Sequence, residues 1–220
     1  MIILTLDILA VTKRLLCPGG NDTFLRQLKK IASSGVKAVI LREKDLSPED
    51  YETLARDVSA LCAARNVQFI VHSHIQIARN LRCTYVHLPW TVFRKSVKIG
   101  AFEEFMENSG KIGISIHNQE EALFALEHGA SYLIAGHVFP TQSKEGLEGR
   151  GLGFLTGICK LSPVPVYGIG GISEENISAV AKAGTAGVCL MSSMMQNPDP
   201  SATIGKLRQR TLDIKSPVKV

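Results

Sequence analysis

The chain lacks most of the features that mark secreted, membrane or metal-bound proteins. Its five cysteines form no Cys-x-x-Cys pair and have no metal-type spacing from the six histidines. We therefore expect free thiols in a reducing compartment rather than disulfides or a metal site. No apolar run approaches the ~20 residues of a membrane span. No positively charged segment precedes the apolar start, which we predict to be the first strand rather than a signal peptide. These absences predict a cytoplasmic protein with no membrane partner.

Dense positive charge interleaved with aromatic residues is also absent. The net charge is +5, and the basic residues are spread along the chain apart from a loose tail. That tail comprises Lys206, Arg208, Arg210, Lys215 and Lys219 and contains no aromatic residue. We therefore predict no nucleic-acid partner. Affinity for small phosphorylated molecules explains the mild positive balance equally well.

The sequence does contain a regular alternation of short apolar runs and amphipathic segments. The apolar runs are Ile8–Thr12, Val36–Arg42, Phe69–His72, Tyr85–Leu88, Ile112–Ile116, Leu133–Phe139, Val164–Ile169 and Gly187–Met191. Amphipathic segments between them include Asp22–Ser33, Pro48–Arg65, Gln119–His128 and Glu174–Ala183. Eight β-then-α units predict a single α/β domain over residues 1–220, a closed (β/α)₈ TIM barrel. An open flavodoxin-like sheet is the alternative, and it would need fewer strands.

Short signals predict where several helices begin and end. Ser47 precedes a proline and two acidic residues, which is typical of a capped helix start. Gly129 and Gly184 follow amphipathic segments and are expected to stop them.

Polar residues follow the predicted strands, where the carboxyl ends of barrel strands build active sites. Five of the six histidines stand there, namely His72, His74, His87, His117 and His137, whereas His128 falls in a helix. His137 can transfer protons near neutral pH, and Thr141, Ser143 and Lys144 offer donors to an anionic substrate. The same segment also fits a half-buried strand that ends in an ordinary polar loop. Further candidates are Arg42 and Lys44 after strand 2 and Ser115 on strand 5.

A glycine pair after strand 7 and two serines after strand 8 predict a phosphate site. Glycines let the backbone approach an oxyanion, and this end of a barrel often binds phosphate. The predicted phosphate-binding residues are Gly170, Gly171, Met191, Ser192 and Ser193. A Gly-Gly turn alone is weak evidence, because tight turns use glycine for shape.

Several motifs carry a family resemblance. Leu41–Asp45, Gly113–His117, Gly136–Lys144, Gly168–Ile172 and Met191-Ser192 resemble the thiamin phosphate synthase superfamily in order and spacing. The resemblance runs from about Ile8 to Arg210 and implies a (β/α)₈ barrel. It also implies one of two activities: coupling a pyrimidine diphosphate to a thiazole phosphate, or aromatising a thiazole carboxylate phosphate, as TenI-like tautomerases do.

The resemblance separates the two branches by their metal chemistry. Synthases of the superfamily hold Mg²⁺ with an Asn-Asp pair after strand 3 and an aspartate after strand 4. This chain has His72-Ser73-His74 and Leu88–Phe93 at those places, with no acid in either. Gly136-His137-Val138-Phe139 and the segment from Lys144 to Gly151 closely resemble TenI, although His72-Ser73-His74 departs from TenI as well.

These similarities predict a thiazole tautomerase, an isomerase without metal or cofactor, acting on a small phosphorylated thiazole. His137 would be the catalytic acid and base. Substrate-binding residues would be Arg42, Lys44, Ser115, His117, Thr141, Ser143 and Lys144. Two alternatives remain: a thiamin phosphate synthase, with Mg²⁺ as cofactor, and a non-catalytic barrel that binds a phosphorylated ligand. The sequence leaves a homodimer open.

Overall fold

Eight parallel strands form a closed barrel in the computed structural model, which describes residues 6–17 and 19–212. They run in sequence order, and the last strand pairs with the first. The strands are β1 (Asp7–Val11), β2 (Ala38–Leu41), β3 (Gln68–His72), β4 (Tyr85–Pro89), β5 (Lys111–Ile116), β6 (Tyr132–Gly136), β7 (Val166–Ile169) and β8 (Gly187–Leu190). The predicted TIM barrel is confirmed, and the open-sheet alternative is wrong.

Part of the sequence-based expectation lies outside the described residues. Residues 1–5 of the apolar start, and Lys215 and Lys219 of the basic tail, belong to that part. The first strand is described from Asp7 onward. The extent of the single domain over residues 1–220 stays a prediction.

Helices connect the strands around the outside of the barrel. Within the described residues they are α1 (Gly20–Ala32), α2 (Pro48–Ala63), α3 (Ile75–Asn80), α4 (Trp90–Lys98), α5 (Glu103–Glu107), α6 (Gln119–Glu127), α7 (Gly151–Leu161), α8 (Ile177–Lys182), α9 (Ser192–Met195) and α10 (Pro200–Gln209). Short 3₁₀ turns lie at Arg14–Leu16 and Gln142–Lys144. None of the described helices combines the length and the hydrophobicity that a bilayer crossing requires.

The predicted helix signals are confirmed. The Ser47 hydroxyl accepts a hydrogen bond from the Asp50 backbone N–H at 3.1 Å, which caps α2. Gly129 follows α6 with φ of 81°, and Gly184 follows α8 with φ of 93°. Both glycines adopt the left-handed backbone that ends many helices at low steric cost.

Two predicted bounds are wrong for local reasons. The run Leu133–Phe139 was predicted as one strand, but β6 ends at Gly136. Val138 and Phe139 then donate backbone hydrogen bonds to Ile169 and Gly170, so they follow the end of β7 outside the regular ladder. The helix predicted over Glu174–Ala183 begins only at Ile177, because the Asn176 side chain first accepts from the Ser173 N–H in a turn.

Side-chain alternation explains why the strands are apolar throughout. In β2, Ala38 and Ile40 pack inside the barrel, whereas Val39 and Leu41 pack outward against the helices. Both faces are therefore buried, as expected for parallel strands covered by crossover helices. The barrel interior is filled by Leu9, Val11, Ala38, Ile40, Ile70, Tyr132, Ile134, Tyr167 and Cys189.

Candidate active site

A cavity of about 690 Å³ lies at the carboxyl ends of the strands, within the range of roughly 300–1,000 Å³ that is usual for small-molecule sites. Every residue predicted for the site lines it. These residues are Arg42, Lys44, Ser115, His117, His137, Thr141, Ser143, Lys144, Gly170, Gly171, Met191, Ser192 and Ser193. Closure of the barrel brings them together from five strand ends, although none of their roles follows from position alone.

Three cations, Arg42, Lys44 and Lys144, form what we call the cationic cluster. Partial desolvation at the cavity edge lowers the pKa of Lys44, and the positive charges of Arg42 and Lys144 lower it further. Burial also lowers the pKa of Arg42. In the described part of the chain, no salt bridge involves any of the three. The cluster therefore presents net positive charge to the cavity, and only the charge of the buried Glu43 offsets part of that of Arg42.

A buried carboxylate anchors the backbone beneath the cluster. Glu43 accepts hydrogen bonds from the Thr12 hydroxyl and from the Arg14 backbone N–H. The same Thr12 hydroxyl accepts from the Arg42 N–H at 2.9 Å, which ties the start of the loop to β1. Burial raises the pKa of Glu43, while these hydrogen bonds act in the opposite direction. Glu43 is thus occupied in holding Arg42 in place.

Two buried histidines stay neutral, His72 on the floor of the cavity and His87 beneath it inside the barrel. Burial lowers the pKa of His87 to about 3. Burial lowers the pKa of His72 well below its usual value, and the charges of His87, Arg42 and Lys44 add to the effect. Nδ1 of His72 lies 2.8 Å from the Ser73 hydroxyl.

The tautomer of His87 determines whether the Ser115 hydroxyl is free to donate a hydrogen bond into the cavity. His87 Nε2 lies 2.8 Å from Ser115 Oγ, and among the described residues its Nδ1 has no partner. A buried N–H without an acceptor is rarer than a bare acceptor. The proton therefore belongs on Nε2, which donates to Ser115. The Ser115 hydroxyl is left free to donate into the cavity.

On the β5 side, His117 is paired with an acid. Glu121 accepts from the His117 backbone N–H at 2.7 Å and lies 2.9 Å from His117 Nδ1. Among the described residues that line the cavity, Glu121 is the single carboxylate. Its charge is therefore directed to His117 rather than to the centre of the cavity.

His137 follows β6 directly and is 8% exposed. Its Nε2 lies 3.3 Å from the carbonyl oxygen of Leu147, so the loop after β6 folds back over the imidazole. The Arg150 N–H donates to the His137 carbonyl at 2.9 Å and closes that loop. The 3₁₀ turn Gln142–Lys144 within the loop carries Ser143 and Lys144.

Gly170, Gly171, Ser192 and Ser193 form what we call the glycine–serine cradle. Gly170 and Gly171 have φ of 97° and 64°. A Cβ on Gly171 would lie 2.5 Å from the Pro140 carbonyl oxygen, and one on Gly170 would lie 2.4 Å from the His137 Cβ. These glycines are thus required for close packing against the β6 segment, whatever the cradle binds. Ser192 and Ser193 open the short helix α9 beside them.

Two of the histidines predicted at strand ends do not line this cavity. His87 lies within β4 and is directed into the barrel, where its ring is 5.7 Å from that of Tyr132. His74 packs on Tyr51 at 4.4 Å and lines a separate depression beside Glu49 and Glu52. The sequence pattern placed them by position alone, whereas the direction of each side chain depends on the strand pleat and on helix packing.

Other lining residues were missed by the sequence reasoning. The main ones are Trp90 at the start of α4, Glu121 on α6 and Arg150 before α7. Arg150 donates from Nε to the Gly136 carbonyl at 3.1 Å and lies over the Phe154 ring. The sequence hinted at Arg150 only through its place in the polar segment before Gly151. Trp90 and Glu121 lie in helices, and helix residues reach the cavity only through tertiary packing.

The side chains do not fit a protein-bound Mg²⁺ ion. Magnesium prefers hard oxygen ligands such as carboxylates. No group of three or more His, Cys, Asp or Glu side chains suited to a metal occurs in the described residues. The ends of β3 and β4 and the start of α4 present neutral His72, Pro89, Trp90 and Thr91 to the cavity, with no carboxylate among them.

Comparison with known proteins shows the family. A profile described as thiamine monophosphate synthase matches residues 8–194. The chain belongs to this family. A thiamine-phosphate synthase of Coprothermobacter proteolyticus is 32% identical over 191 residues, covering 86% of this chain and 89% of the relative. One of Geobacillus thermodenitrificans is 34% identical over 188 residues, covering 82% and 81%.

Solved structures agree with this membership. A thiamine phosphate pyrophosphorylase from Pyrococcus furiosus has a TM-score of 0.76 at 25% identity, covering 94% of this chain and 95% of the other. KGPDC from Streptococcus mutans, with a TM-score of 0.68 at 13% identity, covers 94% of this chain and 98% of its own and shares the fold alone.

The tautomerase prediction is wrong, because the curated relatives at 32–34% identity are named thiamine-phosphate synthases. Packing explains why the Gly136–Phe139 run is not evidence for a tautomerase. A Cβ on Gly136 would lie 2.5 Å from the Ile169 carbonyl oxygen, Val138 is buried, and Phe139 packs on the core. Most of the run therefore serves the barrel and carries little information about the reaction.

Proposed function

We propose that the chain is a transferase that couples a pyrimidine diphosphate to a thiazole phosphate, as a thiamine-phosphate synthase. The observation that carries this proposal is the similarity to relatives of that name over more than four-fifths of this chain and of theirs. The isomerase assignment gives way to this transferase assignment.

The shape and charge of the cavity support a reaction between two phosphorylated substrates. The cationic cluster comes from the ends of β2 and β6, and the cradle comes from the ends of β7 and β8. One cavity thus offers two regions suited to anions. We assign the diphosphate to the cluster, where charge is greatest, and the thiazole phosphate to the cradle.

The bond changes of coupling define what the side chains have to do. The bond between the pyrimidine methylene carbon and the diphosphate oxygen breaks, and its electron pair leaves with the diphosphate. The thiazole ring nitrogen supplies the pair for the new bond to that carbon. Negative charge therefore grows on the diphosphate, where positioned cations stabilise it more than they stabilise the bound substrate.

The remaining cavity residues position the substrates in this proposal. The Ser115 hydroxyl donates a hydrogen bond to an acceptor atom of the substrate ring. His137 supports the loop that bears Ser143 and Lys144, because its Nε2 donates to the Leu147 carbonyl oxygen. Thr141 and His117 complete the walls. No carbon-bound proton has to be moved between ring positions, so His137 is no longer needed as a general acid and base.

A coupling assay tests the proposal. The full-length chain is incubated with hydroxymethylpyrimidine diphosphate and thiazole phosphate, and thiamine phosphate and released diphosphate are quantified by mass spectrometry and a coupled assay. Equal amounts of both products are expected. If calorimetry shows that both substrates bind but neither product forms, the chain is a non-catalytic binder and the transferase proposal is wrong.

A further inference from the structure

The cationic cluster is an unbalanced group of charges. Arg42, Lys44 and Lys144 line one cavity, and each of the other two lowers the pKa of Lys44 by its charge. Holding like charges close together opposes their ionisation and costs free energy. Among the described residues no carboxylate forms an ion pair with them. A polyanionic ligand would remove this repulsion.

The nearest acidic side chains are committed elsewhere. Glu43 binds Thr12 and the Arg14 backbone, and Asp45 forms a salt bridge with Arg14. Glu121, across the cavity, is occupied by His117. Glu43 offsets part of the charge of Arg42 without forming an ion pair with it, and the three acids do not project together as ligands for a cation.

Among the residues that the structure describes, no set of side chains could hold a divalent cation beside the cluster. The cavity wall at the ends of β3 and β4 consists of the neutral imidazole of His72, a proline ring, the indole of Trp90 and the single hydroxyl of Thr91. The described residues contain no metal-type group of acids, histidines or cysteines. A cation placed there would instead face the charges of Arg42 and Lys44.

We infer that the diphosphate site formed by Arg42, Lys44 and Lys144 requires no protein-bound metal ion, because the described side chains around it supply positive charge and no set of carboxylate ligands. Arg42 offers a planar fork that can bind two phosphate oxygens, and the two lysines act as point charges on flexible stems. Three positive side chains match the several negative charges of a diphosphate. The identity of the anion rests on the proposed function, whereas the absence of a metal requirement rests on the side chains.

Calorimetric titration of inorganic diphosphate into the full-length chain tests the inference. It is performed in excess EDTA and again with millimolar Mg²⁺. Saturable binding is expected in EDTA, with Mg²⁺ leaving the apparent affinity unchanged or weakening it by complexing free diphosphate. Tightening by Mg²⁺ of more than about tenfold, or binding seen only with Mg²⁺, would overturn the inference.

Variants locate the bound diphosphate. Lys44→Gln and Lys144→Gln should each weaken binding in EDTA by about tenfold, because each removes a charge-assisted contact. Lys182→Gln, at the exposed end of α8, removes the same charge away from the cavity and should leave binding unchanged. If Lys44→Gln and Lys144→Gln bind like Lys182→Gln, the anion lies elsewhere and the assignment fails.

The result is separable from the coupling assay. Metal-independent diphosphate binding without coupling would leave this inference standing and refute the transferase. Coupling that depends on Mg²⁺, together with no diphosphate binding in EDTA, would refute this inference and leave the transferase standing.

Discussion

The cationic cluster and the glycine–serine cradle face the same cavity but are built in opposite ways. The cluster consists of long side chains without salt-bridge partners in the described residues. The cradle begins with backbone in the left-handed region, where added Cβ atoms would collide with the segment from His137 to Pro140. One region is adjustable and charged, whereas the other is fixed in shape by packing.

Variants of the two regions therefore test different properties: ligand binding at the cluster and packing at the cradle. Lys44 and Lys144 are exposed, so variants of these two lysines report on the ligand rather than on folding. Changes to the cradle alter the junction between the ends of β6 and β7, where Val138 and Phe139 donate to Ile169 and Gly170. Loss of activity there does not by itself identify a phosphate site.

The largest effect is expected from Gly171→Asp. The new side chain meets the Pro140 carbonyl at 2.5 Å, requires φ of 64° and brings a negative charge to the cradle. Substrate binding should fall by at least about 100-fold, and the melting temperature should fall with it. Comparison with Gly171→Ala separates charge from shape. If Ala is as harmful as Asp, packing alone explains the loss and the phosphate assignment is not supported.

A matched control for that comparison lies in α7. A methyl group added at Gly153 would have open space around it, with nothing within 4 Å. Gly153→Ala should retain activity and stabilise the helix by about 0.5–1 kcal/mol, because alanine loses less backbone entropy on folding. Chemical denaturation and the coupling assay measure both. A damaging Gly153→Ala would show that glycines tolerate no change even away from the cradle.

The buried histidines His72 and His87 should make the stability of the fold sensitive to acid. The pKa values of His72 and His87 are lowered in the folded chain, that of His87 to about 3. The unfolded chain therefore takes up protons first, so stability is complete above about pH 6.5 and is lost as pH falls. Near pH 5.5 each histidine should cost about 1.4 kcal/mol in the free energy of unfolding.

Urea denaturation at several pH values checks this expectation. His87→Gln keeps a donor for Ser115 but cannot titrate, so its loss of stability between about pH 7 and 5.5 should be smaller than that of the unsubstituted chain by about 1 kcal/mol. Equal pH dependence in the two proteins would show that His87 does not contribute.

Salt should distinguish the cluster from the cradle. Raising ionic strength from about 0.05 to 0.5 M shortens the screening length several-fold. Diphosphate affinity should fall by about tenfold, because Lys44 and Lys144 are exposed. Affinity for the thiazole phosphate should fall less, since fixed backbone donors carry no net charge. Calorimetry at both ionic strengths gives the two slopes, and identical slopes would remove the contrast.

The smallest effect is expected at Ser115. Ser115→Ala removes one neutral hydrogen bond to the substrate and should raise KM by about two- to tenfold. Ser115→Thr retains the hydroxyl that His87 Nε2 contacts at 2.8 Å and serves as the matched variant. An unchanged KM in Ser115→Ala would show that its hydroxyl does not donate to substrate.

The fold and the membership of the site were largely accessible from the sequence. Alternating apolar runs define parallel strands, and barrel closure then brings residues as distant in sequence as Arg42 and Ser192 to one cavity. The sequence did not reveal that His87 points into the barrel or that Glu121 reaches the cavity from a helix, because both depend on the packing of the folded chain. The tautomerase prediction was wrong because it relied on Gly136 and Val138, which are constrained by close packing. Their resemblance to the tautomerase branch therefore had a structural cause.

A crystal structure with inorganic diphosphate and the thiazole phosphate bound together, grown in EDTA, tests the central assignment most directly. The account predicts diphosphate among Arg42, Lys44 and Lys144, and the single phosphate beside Gly171 and Ser192. Both anions at the cradle, or a diphosphate that contacts none of the three cations, would contradict it.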